Sequence, residues 1–419
     1  MVRSSSKHAL SVNLSKERMD VLSSLLVDDL SQIVQQGIRG WLNERGVLLA
    51  QLLMNAEVIQ KVGERHKHNT ERDCVRWGGQ DGSVLLLEQR VPLSKPRVRT
   101  RGGGSEVELG TYKALNDKEF LNEQAAAKLL SGLSTRRFEK TLEKTLRGRG
   151  IGRQTVSQRG IEEMTKQLEE FQHRSLAGVD ILAVFIDGIG LGDMVYVAAV
   201  GIDSDGNRHV LGFEAGSTER SGVCRQLLSN LIERGILSED GGILFVVDGG
   251  KGLRKAIHEV FGKRARVQRC TIHKKRNVEQ KLPDFLQKEF REKFNAAYSK
   301  QTYKDAEKAF VGLRDWLVLK RRTGAANSLL EGQQEILTLH RLGISGTLQR
   351  SLCTTNCIES VFSAARYYTR NVKRWQKEEQ MERWLAAGLL EAEKRLRRLP
   401  GYTQLKKLKE ALGRVKKAQ

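Results

Sequence analysis

The sequence predicts an α/β fold: one mixed sheet, interrupted late by a long helical segment and preceded by helical, basic regions. Three observations point to it. Apolar runs of strand length cluster at Ile181–Ile186, Met194–Ile202, Val210–Phe213 and Ile243–Val247, and Arg266–Gln268 could form a further short strand. Two of these runs stop on an aspartate, Asp187 and Asp248, and Gly249 and Gly250 allow a sharp turn after the second. From Asn277 to Gln349 the apolar residues follow helical spacing only, as in Phe290, Phe294, Tyr298 and then Ala306, Phe310, Leu313.

Length and charge bound the function. The 419 residues allow roughly two or three domains with a substantial core. A net charge of +22 exceeds what solubility requires and points to a polyanionic partner, double-stranded DNA foremost. The alternative, a basic ribosome-associated or tail-bearing protein, fits less well because charges of both signs are spread through folded-looking segments. The first twenty residues lack the apolar stretch of an export signal, and Val47–Met54 is too short to span a bilayer. Five scattered cysteines argue against a disulfide framework. The expected setting is the cytoplasm, at the nucleoid, with no membrane partner.

Taken in order, residues 1–95 read as a helical and small β region. Met19, Leu22, Leu25, Leu26 and Leu30 share one helical face, and Asn43 can cap a second helix carrying Val47, Leu48, Leu52 and Leu53. Oligomerisation and core packing are equally open for this pair. Val75–Trp77 and Ser83–Leu87 flank a Gly-rich turn at Gly78–Gly82, as in a hairpin. His66, His68 and Cys74 would be three ligands of a zinc site without a fourth. Lys95–Gly104 reads as a basic linker, and 96–178 as a helix-turn-helix-like DNA-binding region. Its helices Glu119–Leu130 and Thr135–Leu146 are joined by a Gly-containing turn, with Arg136, Arg137 and Arg153 as DNA contacts. The competing reading is ordinary paired-helix packing.

Residues 179–277 would form the first part of the sheet domain. An Asp-Gly turn at Ser204–Asn207 implies a three-strand meander. Ser217 would cap the next helix, and strand, helix and strand follow. That order is the order of a ribonuclease H-like sheet. An all-helical insertion (278–350), the last core helix (351–375) and a basic helical tail (376–419) complete the chain. In such a sheet the first and fourth strands are neighbours, so Asp187 and Asp248 would lie side by side. Glu359 sits on the last core helix, with Ser363, Arg366 and Arg370 on its stripe and Ile358, Val361, Phe362 and Ala365 on the buried face.

Three converging carboxylates in a basic protein suit two magnesium ions, with manganese as a substitute, since magnesium prefers a few carboxylates plus phosphate oxygens. Such a pair, ~4 Å apart, activates an attacking hydroxyl and stabilises a leaving oxygen. For each aspartate alone, a strand-end turn is the simpler explanation; their joint placement with Glu359 favours chemistry. Cys270 and His273 supply two ligands at most, and a structural or substrate-positioning role competes with zinc. Lys251, Arg269, His273 and Arg276 are candidate phosphate contacts, against a solvated basic face. Trp316 and Trp375 suit a core as well as a base-stacking platform.

The stretches VFIDGIGLGDMVYVAAVGID, VVDGGKGLRKAIHEVFGKRARVQRCTIHKKRN and TTNCIESVFSAARYYTRNVKRW resemble the Mutator-like transposases of bacterial insertion sequences. RWGGQDGSV and PRVRTRGGG extend the likeness more weakly. The resemblance implies a DDE transposase with an interrupted ribonuclease H-like core, in which Asp187, Asp248 and Glu359 take the catalytic and metal-binding roles. It places the family's Cys-x-x-His on Cys270 and His273. It also implies cleavage at terminal inverted repeats, joining of 3′ ends to target DNA, and a homodimer or higher oligomer on DNA. The alternatives are a ribonuclease H-like nuclease or junction resolvase, and a regulator that binds DNA without cutting it.

Overall fold

A computed structural model of the chain describes residues 42, 45–64, 72–86, 89–102, 104–116, 118–132, 149–150, 153–236 and 241–413. Arg136, Arg137, the helix expected at Thr135–Leu146, His66 and His68 lie outside them. Two compact units emerge, one formed by Met1–Leu129 and Leu133–Gly160, the other by Leu130–Gly132 and Ile161–Gln419.

In the first unit, helix α1 (45–62) buries Ala50, Met54, Val58 and Val62, four residues apart on one face. They pack with Val84, Leu93 and Val98 of a hairpin, β1 (Cys74–Leu86) and β2 (Gln89–Thr100). Of the apolar face expected at Val47, Leu48, Leu52 and Leu53, Val47 packs against this core and the three leucines are exposed. The turn also moves. β1 runs through Gly78–Gly82 with a bulge between Arg76 and Gly79, and the strands close on the pair Leu86↔Gln89. Lys95–Thr100 is therefore strand rather than linker, because alternation sends Val98 into the core while Arg97 pairs with Glu106. The expected boundary at 95/96 falls inside β2. Two short strands, β3 (Glu106–Val107) and β4 (Arg149–Gly150), pair with β2. Helices α2 (Gly110–Leu115) and α3 (Lys118–Leu130) follow β3, and α4 (Arg153–His173) leads onward.

The second unit is built on a five-stranded sheet. Its strands are β5 (Ile181–Leu191), β6 (Met194–Asp203), β7 (Arg208–Ala215), β8 (Ile243–Val247) and β9 (Ala265–Arg269), in the order β7-β6-β5-β8-β9. β5, β6 and β7 form an antiparallel meander, whereas β8 and β9 add in parallel to β5. Near-continuous apolar runs suit strands covered on both faces. On one face lie α5 (Ser221–Glu233) and α6 (Lys251–Phe261), contributing Leu227, Leu231, Leu253 and Ile257. Ser217 does not cap α5; its carbonyl accepts the Arg220 N–H in a turn just before the helix.

After β9 the chain is helical: α7 (Thr271–Glu279), α8 (Asp284–Tyr298), α9 (Tyr303–Leu319), α10 (Thr323–Leu330), α11 (Gln333–Ile336), α12 (Thr338–Arg341) and α13 (Gly346–Leu352). Phe290, Phe294, Phe310 and Leu317 give this segment a core of its own. Trp316 packs against that core, with Lys293 over its ring. Helices α14 (Asn356–Thr369), α15 (Glu378–Glu393) and α16 (Leu405–Ala411) then cover the other face of the sheet. The expected basic helical tail also contributes to the core: Leu385, Leu389, Leu405 and Leu408 are buried, and Lys409 pairs with Asp180 at 2.7 Å, while Lys406 and Lys407 are exposed. Arg414, Lys416 and Lys417 lie outside the described residues.

Candidate active site

Asp187 lies within β5 rather than at its end. The strand runs on to Leu191 and returns through Gly192, whose φ of +62° suits the first position of a two-residue hairpin turn. Its parallel neighbour β8 stops at Val247, opposite Ile186. Asp187 and Asp248 are therefore the next residues along two adjacent strands. Side-chain alternation also fixes the face. Phe185 and Val246 point towards α14 and α15, Ile186 and Val247 towards α5 and α6, so Asp187 returns to the α14 side.

Backbone donors orient both aspartates. The Gly188 N–H donates to Asp187 Oδ1 at 2.8 Å, and the Gly250 N–H to Asp248 Oδ1 at 2.9 Å. Burial pushes the Asp187 carboxyl up to about 6, the Gly188 N–H opposes this, and the charges of Asp248 and Glu359 raise it further while His273 lowers it. The fields of the other two carboxylates thus reach Asp187.

Glu359 is held differently. It lies in the first turn of α14, on an exposed stripe with Ser363, Arg366 and Arg370, while Ile358, Val361, Phe362 and Ala365 are buried as their spacing predicts. The hydroxyl of fully buried Thr355 donates to Glu359 Oε1 at 2.9 Å and also lies 3.5 Å from Cys270 Sγ. Sequence reasoning missed Thr355; the signal was its place four residues before Glu359 on a helical start.

Cys270 and His273 flank the same region. The Cys270 N–H donates to the Val247 carbonyl, so the residue is fixed beside Asp248. Burial alone would raise its thiol, but His273 and Thr355 outweigh this and lower it. The adjacent Cys270 sulfur is the main cause of a His273 pKa near 8; burial opposes it, and Asp187 and Asp248 add to the rise. His273 Nδ1 is buried without a hydrogen-bond partner among the described residues.

The basic candidates divide. Lys251 opens α6 just after the Asp248 turn, and Lys251, Arg276, Arg366 and Arg370 are exposed, with Arg370 stacked over Tyr367. Arg153 is the first residue of α4, in the stretch assigned to the first unit. Arg269 is not placed as a surface phosphate contact: it is 4% exposed and paired with Glu331 at 3.1 Å. Trp375 packs partly buried against the sheet core.

The oxygen-only carboxylate set matches what hard divalent cations prefer, and a cation would relieve both the burial of the Asp187 charge, which is the main cause of its raised pKa, and the smaller repulsion from Asp248 and Glu359. As the side chains stand, no three His, Cys, Asp or Glu groups among the described residues are gathered tightly enough to hold an ion. Nor is any described helix long and apolar enough to cross a membrane.

Comparison with known proteins agrees with the likeness read from the motifs. The transposase for insertion sequence element IS905 of Lactococcus lactis subsp. lactis (strain IL1403) is 28% identical over 305 residues, covering 70% of this chain and 74% of that protein. The transposase for insertion sequence element IS256 in transposon Tn4001 of Staphylococcus aureus is 25% identical over 391 residues, covering 90% and 93%. The transposase for insertion sequence element IS6120 of Mycolicibacterium smegmatis is 26% identical over 256 residues, covering 58% and 75%. The profile of the family described as Transposase, Mutator family matches residues 17–398. With most of its length inside that match, the chain belongs to the Mutator family of transposases.

Proposed function

We propose that this protein is a DDE transposase that cuts at the terminal inverted repeats of its own insertion sequence and joins the exposed 3′ ends to target DNA. The reading includes a ribonuclease H-like core, represented by the β7-β6-β5-β8-β9 sheet, with the helices of 278–350 as its insertion. The observation that carries it is the register Ile186↔Val247, which sets Asp187 beside Asp248 on the face covered by Glu359's helix.

In this reading Asp187, Asp248 and Glu359 hold two magnesium ions, replaceable by manganese. When bound, the ions would supply the positive charge that favours an attacking hydroxyl and a leaving oxygen in an in-line displacement. The chain's own part is placement. Gly188 and Gly250 aim Oδ1 of the two aspartates, and Thr355 aims Glu359. His273, whose pKa is raised to about 8 chiefly by the Cys270 sulfur, lies close enough to Asp187 and Asp248 to sense their charge and is suited to contact a scissile phosphate. Lys251, Arg276, Arg366 and Arg370 would grip flanking phosphates, which fixes register without reading sequence. Water attacks first and frees a 3′-hydroxyl, which then attacks a target phosphodiester; no covalent protein intermediate is required. Two active sites are needed to join two ends, so the protein would act as a homodimer or larger oligomer in the bacterial cytoplasm.

Purified protein, a duplex bearing the element's terminal repeat and magnesium should give a nick at the repeat end. Asp187→Ala, Asp248→Ala and Glu359→Ala should each abolish it. Full strand transfer by Glu359→Ala would break the triad assignment, and specific binding without cleavage in magnesium or manganese would favour a regulator.

A further inference from the structure

One carboxylate of the helical segment reaches the chain on both sides of Cys270 and His273. Glu331, between α10 and α11, places Oε2 2.9 Å from Lys274 Nζ and Oε1 3.1 Å from Arg269 Nη1. Its Oε1 is also 3.7 Å from Arg254, which Glu335 holds at 2.8 and 2.9 Å. Among the described residues, two of these cations have no other acidic partner. The Lys274 side chain is 0% exposed and that of Arg269 5% exposed. A charge buried so deeply requires a partner, and Glu331 is held ionised, to about 2, because Lys274 and Arg269 outweigh its own burial.

The positions of the two cations give the contact its meaning. Arg269 immediately precedes Cys270 and Lys274 immediately follows His273, so Glu331 grips both ends of the Cys270–His273 segment. The Arg269 guanidinium is also wedged between two glycines. A methyl group on Gly249 would overlap Arg269 Nε, and one on Gly332 would overlap Nη1. Both glycines have positive φ, +101° and +81°. Gly249 directly follows Asp248, and Gly332 directly follows Glu331. The guanidinium thus fills the gap between the Asp248 turn and the helical segment, while its Nε has no acceptor among the described residues.

We propose that Glu331 is a positioning residue for the DNA-cleaving site: it locks the Asp248 turn and the Cys270–His273 segment through Arg269 and Lys274. Its effect on cleavage rests on the function proposed above, but the lock itself can be read without catalysis. Full-length Glu331→Gln should cleave terminal-repeat duplex about 100-fold more slowly, the scale of a small misplacement of reacting groups, with DNA affinity unchanged. Because Lys274 would then lose its counter-charge, Glu331→Gln/Lys274→Met is the companion variant, removing one charge of each sign. Brief alkylation of the folded proteins, mapped by mass spectrometry, should show Cys270 reacting about tenfold faster in either variant through local opening, with Cys224 unchanged. The proposal is overturned if the double variant matches the unaltered protein in Cys270 reactivity, or if it cleaves at the unaltered rate. An unaltered protein that fails to cleave counts against the proposed function, while the Cys270 reading still decides the lock.

Discussion

The two halves of the candidate site are built by different means. Asp187 and Asp248 are set by a strand register and by backbone N–H donors, within a sheet buried on both faces. Glu359 comes from an exposed helical stripe, reached only after the helices of 278–350, and its orientation depends on one side-chain hydroxyl. Backbone geometry resists substitution because no single side chain provides it; a side-chain tether can be cut by one mutation. Apart from the Glu331–Arg269 contact at the Asp248 turn, the strand half should therefore fail only when a carboxylate or the backbone is changed, and the helix half should be tunable.

Removing any one carboxylate has the largest expected effect. Asp187→Ala, Asp248→Ala and Glu359→Ala should each slow end cleavage at least ~10³-fold if the three act as one unit, measured as single-turnover nicking. A much milder loss for Glu359→Ala would separate the halves. Next, Gly249→Ala attacks the strand half through its backbone. The new methyl would overlap Arg269 at a φ of +101°, and urea unfolding should show a loss of about 2–3 kcal/mol.

A charge effect of similar order should appear in metal-free buffer. The folded Asp187 carboxyl is raised from 3.8 to about 6, so its ionisation opposes folding as pH rises through that window. Below 3.8 the acid is protonated in both states and the penalty vanishes. Asp187→Asn should thus stabilise the protein at pH 7–8 by of order 2 kcal/mol and give no gain near pH 3.5, read from thermal unfolding with chelator present.

The smallest effect belongs to the helix half. Thr355→Val keeps the shape but loses the donor to Glu359, and should lower the cleavage rate about tenfold, the loss of one charge-assisted hydrogen bond. Thr355→Ser should restore most of it. Equal rates for Val and Ser would show that the hydroxyl does not hold Glu359.

Much of this was legible in the sequence because the sheet's strands are apolar runs of the right length. The meander follows from the apolar runs with the Asp-Gly turn between them, and the buried face of α14 from helical spacing. What escaped was set by contacts distant in sequence. The continuation of β5 past Asp187 depends on pairing with β6, where Gly188 and Gly190 look like turn residues but lie in the ladder. Lys95–Thr100 looked like a linker because its basic residues outnumber Val98, which alone carries that stretch into the core. Arg269 looked like a phosphate contact because its partner Glu331 is remote along the chain. In the same way, the apolar residues of 376–412 were masked by their lysines and arginines until the sheet gave them a surface to cover.

The proposed function requires the helix-borne Glu359 to share one cation site with Asp187 and Asp248. Iron(II) in place of magnesium, with ascorbate and peroxide, cuts a protein backbone next to the bound ion. Fragment mapping on the DNA-bound protein should show cuts close to Asp187, Asp248 and Glu359 together, all lost with excess magnesium. Cuts near Asp187 and Asp248 without cuts near Glu359 would contradict it.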